Sequence, residues 1–366
     1  MRRLAVFVVV VGAVVALTTG GAIARGLVPC EVLAAQPACY VALRPGPAED
    51  VLQLLEVRGA RAYTATGELL LTTVAVDEEL GLTEWLRANV SAGIEPVPRE
   101  QLFPAGSDRD EVAEYNAALM ADSQLTATLA ALDELGYDVT GEGALVTAVV
   151  EDAVTDELVV GDVITAVDGR PVTDNAAVVA AVQARSPGDR LTLQVRDGAG
   201  ERDVEVVLGA AADDAERAYV GVLLSTELDL PVDVSIDAGI IGGPSAGLMF
   251  ALSIVEVLGP DDLTHGAVVA GTGTLDRDGA VGAIGGIRQK MLGATLREDG
   301  GRPASVFLVP RGNLDEALGT PVEREIHLVP VGTLDEAIAA LAAVGEGRLP
   351  EEATTLTPSP RRAAAE

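Results

Sequence analysis

The apolar and polar positions divide the first part of the chain into segments with different periodicities. Residues 4–24 form a mainly apolar run behind Met1-Arg2-Arg3, long enough to cross a bilayer. Residues 40–97 show the pattern of strands, most clearly over 40–43 and 69–76. Residues 108–135 predict one long scaffold helix, with apolar residues at roughly helical spacing: Val112, Tyr115, Leu119, Leu125, Leu129 and Leu132.

The second part of the chain predicts shorter elements. Residues 140–209 predict a compact unit with a helix at 174–184 and strand-like runs at 144–150, 158–172, 190–196 and 203–208. The last third then alternates strands, at 219–224, 232–236, 267–271, 305–309 and 326–329, with helices at 245–258, 286–297 and 334–341. After Val344 the periodicity is lost, which predicts a disordered tail over 345–366.

The N-terminal apolar segment predicts that the bulk of the chain leaves the cytoplasm. Two arginines before the segment and few positive charges soon after it place the N-terminus on the cytoplasmic side. The stretch Ala22-Ile23-Ala24 also fits a signal-peptide cleavage site, so a cleaved signal and a retained anchor are both open, and we favour the anchor. Cys30 and Cys39 then lie outside the membrane, where we expect a disulfide, with two unpaired thiols as the alternative.

Composition and charge exclude several classes of protein. Lys+Arg is 25 against Asp+Glu 56, and the resulting net charge of −31 disfavours nucleic-acid binding. Hydrophobic residues make up 49% of the chain, enough to form packed cores. Two cysteines lie far along the chain from the two histidines, His265 and His327, which excludes a cysteine–zinc module. We therefore predict no metal ion and no nucleic-acid partner.

Lys290 is the single lysine among the 25 basic residues. Arginine replaces lysine well in surface ion pairs but cannot lose its proton, whereas a desolvated lysine can. The alternative is a chance survivor on a solvated helix face. Because Lys290 lies between Gln289 and Met291, the Gly-Lys-Ser/Thr sequence of a P-loop is missing, and we predict neither ATP nor another cofactor.

A glycine-rich turn, Gly239-Ile240-Ile241-Gly242-Gly243-Pro244-Ser245-Ala246-Gly247, joins a predicted strand to the helix at 245–258. Ser245 would lie at the helix N-terminus, where free N–H groups could hold an oxyanion. From this segment alone, a helix N-cap serine is the stronger alternative.

A nucleophilic serine needs a base beside it. His327 lies in an apolar strand and His265 in a loop, which disfavours a Ser-His-Asp triad. Lys290 lies one turn into a predicted helix, with apolar residues at core spacings around it, so that its amine would favour the neutral form. A serine–lysine pair is a known variant of the triad.

Two segments resemble known families. Gly161-Asp162-Val163-Ile164 with Asp168-Gly169-Arg170-Pro171-Val172 resembles the PDZ domains of bacterial extracytoplasmic proteases. Such domains add a peptide as an extra strand and hold its terminal carboxylate on main-chain N–H groups. By position, that loop is Gly143-Ala144-Leu145-Val146; a packing module that binds no free peptide is the alternative.

The last third resembles the proteolytic domain of Lon proteases. The matching motifs, in order, are Gly243-Pro244-Ser245-Ala246-Gly247, Gly271-Thr272-Gly273, Gly279-Ala280-Val281 and residues 284–290, followed by 326–330 and 335–337. The resemblance implies Ser245 as nucleophile, Lys290 as general base and a ring of identical subunits. We add Gly243, Ala246 and Thr272 as oxyanion or support residues.

The chain departs from Lon proteases at two positions and in one module. The acidic residue three places before the serine is replaced by Gly242, and the threonine that supports the lysine by Asp276, so that Thr272 or Thr274 would take over part of this support. The ATPase module is missing, which together with the anchor and the PDZ-like segment resembles bacterial PDZ-containing, Lon-like secreted proteases.

These observations predict an α+β multidomain protein. Its parts are an N-terminal transmembrane or signal helix (1–25), a β-rich region with a long helix (26–136), a PDZ-like β-domain (137–210), a Lon-type α/β proteolytic domain (213–344) and the tail (345–366). The predicted function is an ATP-independent serine endopeptidase acting on proteins or peptides, with a PDZ domain that binds substrate or regulatory peptides. The predicted location is the cytoplasmic membrane, crossed once with the bulk of the chain outside the cytoplasm, or secretion if the chain is cleaved after Ala24. The alternatives are a membrane-tethered peptide-binding scaffold with an inactive Lon-like domain, and a protein that processes only itself or one partner.

Overall fold

A computed structural model describes residues 39–78, 80, 82–88, 93–103, 109–150, 153–211, 214–297 and 300–358. These residues divide into two compact units. The first unit contains the described residues up to Gly136 and from Val234 onwards, and the second is Tyr137–Asp233. The second unit is therefore an insertion in the sequence of the first.

The strands and helices follow the chain in this order. Before the insertion lie β1 (Tyr40–Asp50), β2 (Leu55–Arg58), β3 (Glu68–Asp77), α1 (Leu82–Ala88), β4 (Glu95–Pro98) and α2 (Arg109–Glu134). The insertion contains β5 (Thr140–Val149), β6 (Val163–Val167), β7 (Arg170–Pro171), α3 (Asn175–Gln183), β8 (Arg190–Asp197), β9 (Gly200–Val207), β10 (Gly209–Ala211), β11 (Asp214–Tyr219) and β12 (Val222–Asp229). The rest comprises β13 (Asp233–Ile236), α4 (Gly247–Leu258), β14 (Val268–Gly271), β15 (Thr274–Leu275), β16 (Val281–Gly282), α5 (Ile287–Leu296), β17 (Val306–Pro310), α6 (Leu314–Leu318), β18 (Ile326–Val331), α7 (Leu334–Gly345) and β19 (Thr354–Leu356).

The first unit is built on a seven-stranded sheet with the order β19-β18-β17-β14-β3-β1-β4. Strands β3, β14, β17 and β18 are parallel to their neighbours in this group. The early strand β3 lies beside the late strand β14, where Leu69 pairs with Val269 and Leu70 with Ala270, all fully buried. A separate β-rich region over 26–136 is therefore wrong, because β14 is an apolar central strand that needs a neighbour on each edge.

Helix α2 confirms the predicted long helix and part of its predicted apolar stripe. Leu129 and Leu132 are buried as predicted, whereas Tyr115 and Leu125 are exposed. Nearer the start of the helix, Met120, Ser123 and Ala127 are buried. These three residues are spaced by three and four positions, so they share one face of the helix. This face packs against α4.

The second unit contains a sheet with the order β12-β5-β6-β8-β9, with β7 paired to β6. Helix α3 contributes Val178 and Val182 to its core. The buried carboxylate of Asp162 accepts the Val159 N–H at 2.9 Å and pairs with Arg202 at 2.7 Å, which fixes the turn before β6. This unit extends past the predicted boundary at 210, because β12 pairs with β5 along most of its length.

The predicted disordered tail is wrong for most of its length. Helix α7 ends at Gly345, and β19 then pairs with β18 as an outer strand of the sheet. Arg311 and Glu352 form an ion pair at 2.6 Å, and Nδ1 of His327 lies 2.9 Å from the hydroxyl of Thr355. The β-branched residues Thr354 and Thr355 suit this edge position.

Several predictions concern residues at the N-terminus. The apolar segment 4–24, the cleavage site at Ala24 and Cys30 lie outside the described residues. Among the helices of the described residues, none is long and apolar enough to span a bilayer. Cys39 is buried and disulfide-bonded.

A carboxyl pair lies at the C-terminal end of α4, where Glu256 is buried in the last turn of the helix and Asp262 is half-buried in the loop that follows. Glu256 is 1% exposed and accepts the Leu263 N–H at 2.7 Å, while Asp262 accepts the hydroxyls of Thr264 at 2.6 Å and Thr66 at 2.5 Å. Burial, with Asp262 nearby, raises the pKa of Glu256 from 4.5 to about 7. Hydrogen bonds from the two threonines and from the His265 N–H hold the pKa of Asp262 well below its usual range.

Glu256→Gln is expected to remove a pH dependence of stability. Because folding raises the pKa of Glu256, the folded state holds a proton that the unfolded state has lost between pH 4.5 and 7. Stability therefore falls as the pH rises through this window, by an amount on the order of 3 kcal/mol. Asp262 stays ionised there and adds no slope. The check is the free energy of unfolding by urea from pH 5 to 8.

The glutamine variant should match the wild type near pH 5 and exceed it at pH 8. Asp261→Asn, which removes the exposed carboxylate next to Asp262, is the control and should keep the wild-type slope. Parallel pH profiles for the wild type and Glu256→Gln would contradict the prediction.

Candidate active site

Ser245 lies in the turn directly before α4. The N-cap of the helix is Ala246, whose main chain is in the helical region, and Ser245 does not cap the helix. The carbonyl of Ser245 accepts two hydrogen bonds, from the Gly273 N–H at 2.9 Å and from the Thr272 hydroxyl at 2.9 Å. Buried Thr272 thus fixes the main chain of Ser245 from the loop after β14, and the Ser245 hydroxyl stays available for another partner.

Helix α2 holds the same turn from the other side. The Gly243 N–H donates to the main-chain carbonyl of Asn116 at 2.9 Å, and the Ser123 hydroxyl donates to the Pro244 carbonyl at 3.1 Å. Gly247 allows this close approach, since a Cβ there would lie 3.1 Å from the Ser123 hydroxyl oxygen and 3.0 Å from the Leu275 nitrogen. The turn is thereby fixed on both sides of Ser245.

Lys290 lies in the first turn of α5 and is 4% exposed. The helix begins after Gly286, which has a φ of +69° and faces Val74 of β3 so closely that a Cβ would lie 2.7 Å from its side chain. Asn313 fixes the preceding loop by exchanging two hydrogen bonds with the main chain of Ile284, at 2.9 and 2.8 Å. The direction of the lysine side chain is therefore set by the main chain before it, which is fixed at Ile284 and at Gly286.

The Lys290 amine has two recorded partners, both neutral. Its Nζ donates to the main-chain carbonyl of Thr72 at 2.6 Å and lies 3.0 Å from Oγ of Ser245. Desolvation by burial lowers the pKa of Lys290 from 10.5 to about 8. At that pKa an appreciable share of the amine is neutral near neutral pH, and a neutral amine can accept a proton from the serine hydroxyl.

A groove of about 670 Å³ opens beside this pair. One wall is formed by residues 71–76 of β3, and another by Asn116 and Met120 of α2 with the turn at 240–246. Apolar side chains dominate the lining: Leu43, Leu71, Val74, Val76, Leu102, Met120, Ile240 and Ile241. Beyond Leu71, the edge of β3 that faces away from β1 has no paired strand among the described residues.

Two family models match the chain. Residues 217–343 match the Lon protease C-terminal proteolytic domain, and residues 112–208 match a PDZ domain. The chain carries a Lon-type serine peptidase domain and a PDZ domain. Ser245 and Lys290 both lie within the Lon-type match.

Solved structures are also similar to part of the chain. The PDZ domain of an SdrC-like protein from Listeria innocua is 23% identical, covering 22% of this chain and 92% of that one, with a TM-score of 0.21. Its counterpart from Listeria monocytogenes is 22% identical, with coverages of 24% and 92% and a TM-score of 0.22. A solution structure from Geobacillus thermodenitrificans is 24% identical, with coverages of 21% and 90% and a TM-score of 0.20. None of the curated proteins matches the chain.

The three predicted oxyanion or support residues of the Lon-type domain have different surroundings. The Gly243 N–H already donates to Asn116, so it is not free for an oxyanion, and of its two predicted roles only support of the turn fits this bond. The Thr272 hydroxyl donates to the Ser245 carbonyl, a contact that fits the predicted support role. The N–H groups of Ser245 and Ala246 have no recorded acceptor among the described residues. These two N–H groups lie at the start of α4, where the N-terminal end of a helix favours an oxyanion.

Asp276, at the place of the lysine-supporting threonine of Lon proteases, shapes a turn instead. Its carboxylate accepts the Ala280 N–H at 2.8 Å between β15 and β16. The recorded support of Lys290 comes from the Thr72 carbonyl, and neither Thr272 nor Thr274 has a recorded hydrogen bond to the amine within the described part of the chain.

The two histidines have partners away from the serine. His327 contacts Thr355, and the ring of His265 packs against Gly345, where a Cβ would lie 2.2 Å from its Nδ1. Neither of these contacts involves Ser245.

The predicted peptide loop of the PDZ domain is wrong. Gly143, Ala144, Leu145 and Val146 lie within β5, where β12 pairs with all four and β6 with Ala144 and Leu145. On the side away from β12, the Val146 N–H also donates to the Asp162 carbonyl at 2.8 Å, so that this part of β5, an inner strand of the sheet, is not open to a peptide carboxylate. Strand β12, an outer strand of this sheet, is instead open on one edge within the described residues.

Sequence patterns did not identify four residues at the site: Thr72, Asn116, Met120 and Ser123. Thr72 contacts Lys290 through its main-chain carbonyl. Because every residue has such a carbonyl, the residue type at position 72 does not predict this contact. A signal for the other three exists, since polar Asn116 and Ser123 share one helix face with Met120. The apolar pattern alone points to a different face, because it includes Tyr115 and Leu125, which are exposed.

Proposed function

We propose that the protein is an ATP-independent serine endopeptidase in which Ser245 is the nucleophile and Lys290 the general base. The observation that supports it best is the 3.0 Å contact between Nζ of the buried lysine and Oγ of the serine, beside an open apolar groove. Both partners of the amine are neutral, and among the described residues no carboxylate pairs with it to stabilise its protonated form. This arrangement suits a base that has to be unprotonated near neutral pH.

The chemistry follows from this geometry. Neutral Lys290 takes the hydroxyl proton as Oγ of Ser245 attacks the carbonyl carbon of the scissile bond. The N–H groups of Ser245 and Ala246 stabilise the oxyanion of the tetrahedral intermediate. The lysine then gives its proton to the leaving nitrogen, the C–N bond breaks, and an ester remains on Ser245. Water, deprotonated by the same amine, hydrolyses the ester and restores the hydroxyl.

An extended peptide is the substrate that the groove suits. Beyond Thr72, whose carbonyl accepts from Lys290, the edge of β3 that faces away from β1 has no paired strand among the described residues, so a peptide can add there as a further strand. Aliphatic side chains along the groove favour apolar segments, which folded proteins bury. Unfolded or exported chains are therefore the expected substrate class.

The PDZ domain would bind peptide by strand addition at β12. Residues of this strand pair with β5 on one side only among the described residues, and Val222 and Leu224 pack against the core to which α3 contributes. The side chain of Asn175, at the start of α3, donates to the Leu224 carbonyl at 3.2 Å and covers one part of the open edge. We place the peptide along the remaining part, beside Val222.

We further propose that the enzyme works outside the cytoplasmic membrane and as a ring of identical subunits. The apolar segment 4–24 behind two arginines supports membrane targeting, and the disulfide at Cys39 supports an oxidising compartment. The lack of a P-loop lysine supports catalysis without nucleotide. The ring rests on the resemblance to Lon proteases.

The proposal is tested by the pH profile of cleavage of β-casein in nucleotide-free buffer. We expect kcat/KM to rise about tenfold per pH unit below pH 8 and to level off above it, because only the neutral amine accepts a proton. Adding ATP should change nothing. Since Lys290 is the only lysine, protein labelled with carbon-13 lysine gives a single side-chain signal whose titration should show the same midpoint.

Three results would contradict the proposal. Cleavage that requires ATP would rule out nucleotide-free action. An inflection near 6.5, the ordinary pKa of histidine, would point to another base. Absence of cleavage by folded protein at every pH would favour the peptide-binding scaffold.

A further inference from the structure

Helix α2 contributes one polar side chain to the wall of the groove. Asn116 is half-buried, one helical turn before Met120, and both line the groove with Ser245 and Lys290. The wall on either side is apolar or bare backbone: Met120, Ile241 and Gly242. A single polar group in an apolar wall is typical of residues that orient a ligand.

The position of Asn116 is fixed by its main chain and not by its side chain. Its carbonyl accepts the Gly243 N–H at 2.9 Å, two residues before the serine. The Ser123 hydroxyl, two turns further along the helix, holds the Pro244 carbonyl at 3.1 Å. The Cα of Asn116 is therefore held at a constant place relative to Ser245, whatever its side chain does.

Two glycines leave the carboxamide of Asn116 uncovered. A Cβ at Gly242 would lie 3.0 Å from the Cβ of Asn116, and one at Gly243 would lie 3.9 Å from its Oδ1. Within the described residues no hydrogen-bond partner is recorded for the carboxamide. It thus presents a donor and an acceptor to the groove, and a peptide main chain offers the complementary pair.

We propose that the carboxamide of Asn116 hydrogen-bonds the main chain of the bound substrate, on the wall opposite β3. Together with the free edge of β3 it holds an extended chain from two sides beside the Ser245 hydroxyl. This inference rests on the proposed function, since it concerns the same groove. Asn116 is then a substrate-binding residue, whose contribution is to the affinity for substrate and not to the rate of the chemical step.

A role for Asn116 in the oxyanion hole fits less well. Its recorded contacts are with Gly242 and Gly243, before the serine, whereas the free N–H groups of Ser245 and Ala246 lie at the start of α4. The two roles differ in kinetics. Losing a substrate main-chain bond raises KM, whereas losing an oxyanion donor lowers kcat by about 10²–10³-fold.

The test replaces Asn116 with leucine, which keeps the size and removes both hydrogen-bonding groups. We expect KM for β-casein to rise about three- to tenfold with kcat within about twofold, the effect of one lost hydrogen bond. Binding of fluorescein-labelled β-casein to the full chain carrying Ser245→Ala should weaken by the same factor when Asn116→Leu is added. The Gly243 bond uses the main chain and is retained in both variants.

Gln124→Leu is the matched control. It removes an amide from the same helix, one that contacts the Ile236 carbonyl and does not line the groove, and it should leave KM and binding unchanged. Asn116→Ser repeats the test with a smaller side chain if the leucine variant does not fold.

The outcomes separate this inference from the proposed function. Unchanged KM and unchanged binding in folded Asn116→Leu and Asn116→Ser, or a fall in kcat alone, would overturn the role of Asn116. If the wild type cleaves nothing but casein binding to Ser245→Ala protein still depends on Asn116, the inference holds and the endopeptidase proposal fails.

Discussion

Lys290→Arg is expected to abolish peptide cleavage, with kcat/KM falling by at least about 10³-fold. A guanidinium keeps its proton at every pH at which proteins are folded, so Ser245 would lose its base although the positive charge is retained. The measurement is the rate of β-casein cleavage at pH 9, where the wild-type amine is mostly neutral.

Lys290→Met removes the amine without burying a permanent charge, whereas Lys290→Arg does both. Methionine fills the volume of the lysine stem without an ionisable group, so this variant should be inactive but close to the wild type in stability. The arginine variant should unfold at a lower temperature, because the only recorded partners at this buried place are the Thr72 carbonyl and the Ser245 hydroxyl. Full activity in either variant at pH 9 would contradict the assignment of the base.

The proximity of Ser245 and Lys290 could be predicted because the sequence singles out both positions. A single lysine in an arginine-rich sequence suggests a position where proton loss would be useful, and a glycine-rich turn before a helix suggests where a serine hydroxyl could be exposed. The structure brings Lys290 and Ser245 within 3.0 Å, although they lie 45 positions apart.

The support of the site could not be predicted, because it comes from main-chain groups and from segments far away in sequence. Thr72 contributes a carbonyl oxygen, which every residue has, and its position depends on the pairing of β3 with β14. Asn116 reaches the turn only because α2 packs along α4. Local periodicity finds a helix or a strand, but it does not show which elements pack together.

The PDZ domain illustrates the same limit within a single sheet. The sequence identified strand-like residues at 144–150, and all of them but the last lie in β5 (Thr140–Val149). Whether such a strand can receive a peptide depends on its neighbours, and β12, which covers β5, comes more than 70 residues later in the chain. The strand was therefore predicted correctly, but the peptide loop was not, because the order of strands in the sheet could not be predicted.

Ser245→Ala is expected to lower kcat/KM by at least about 10³-fold, since no ester intermediate can form without the hydroxyl. Folding should be intact. The Ser245 carbonyl keeps its bonds from Gly273 and Thr272, and the Lys290 amine keeps the Thr72 carbonyl. The measurements are β-casein cleavage and the thermal midpoint, which should stay within a few degrees of the wild type.

Ser253→Ala is the matched control for loss of a hydroxyl. Ser253 is buried in the same helix α4, and its hydroxyl donates to the Met249 carbonyl at 2.6 Å, away from the groove lining. This variant should keep its activity within about threefold, because a local serine bond in a helix contributes little to stability. Cleavage that persists in Ser245→Ala would exclude Ser245 as the nucleophile. A third outcome is that neither protein cleaves casein, but the wild-type chain becomes shorter and the Ser245→Ala chain does not. Ser245 would then serve only in self-processing, since the enzyme would cut only a segment of its own chain.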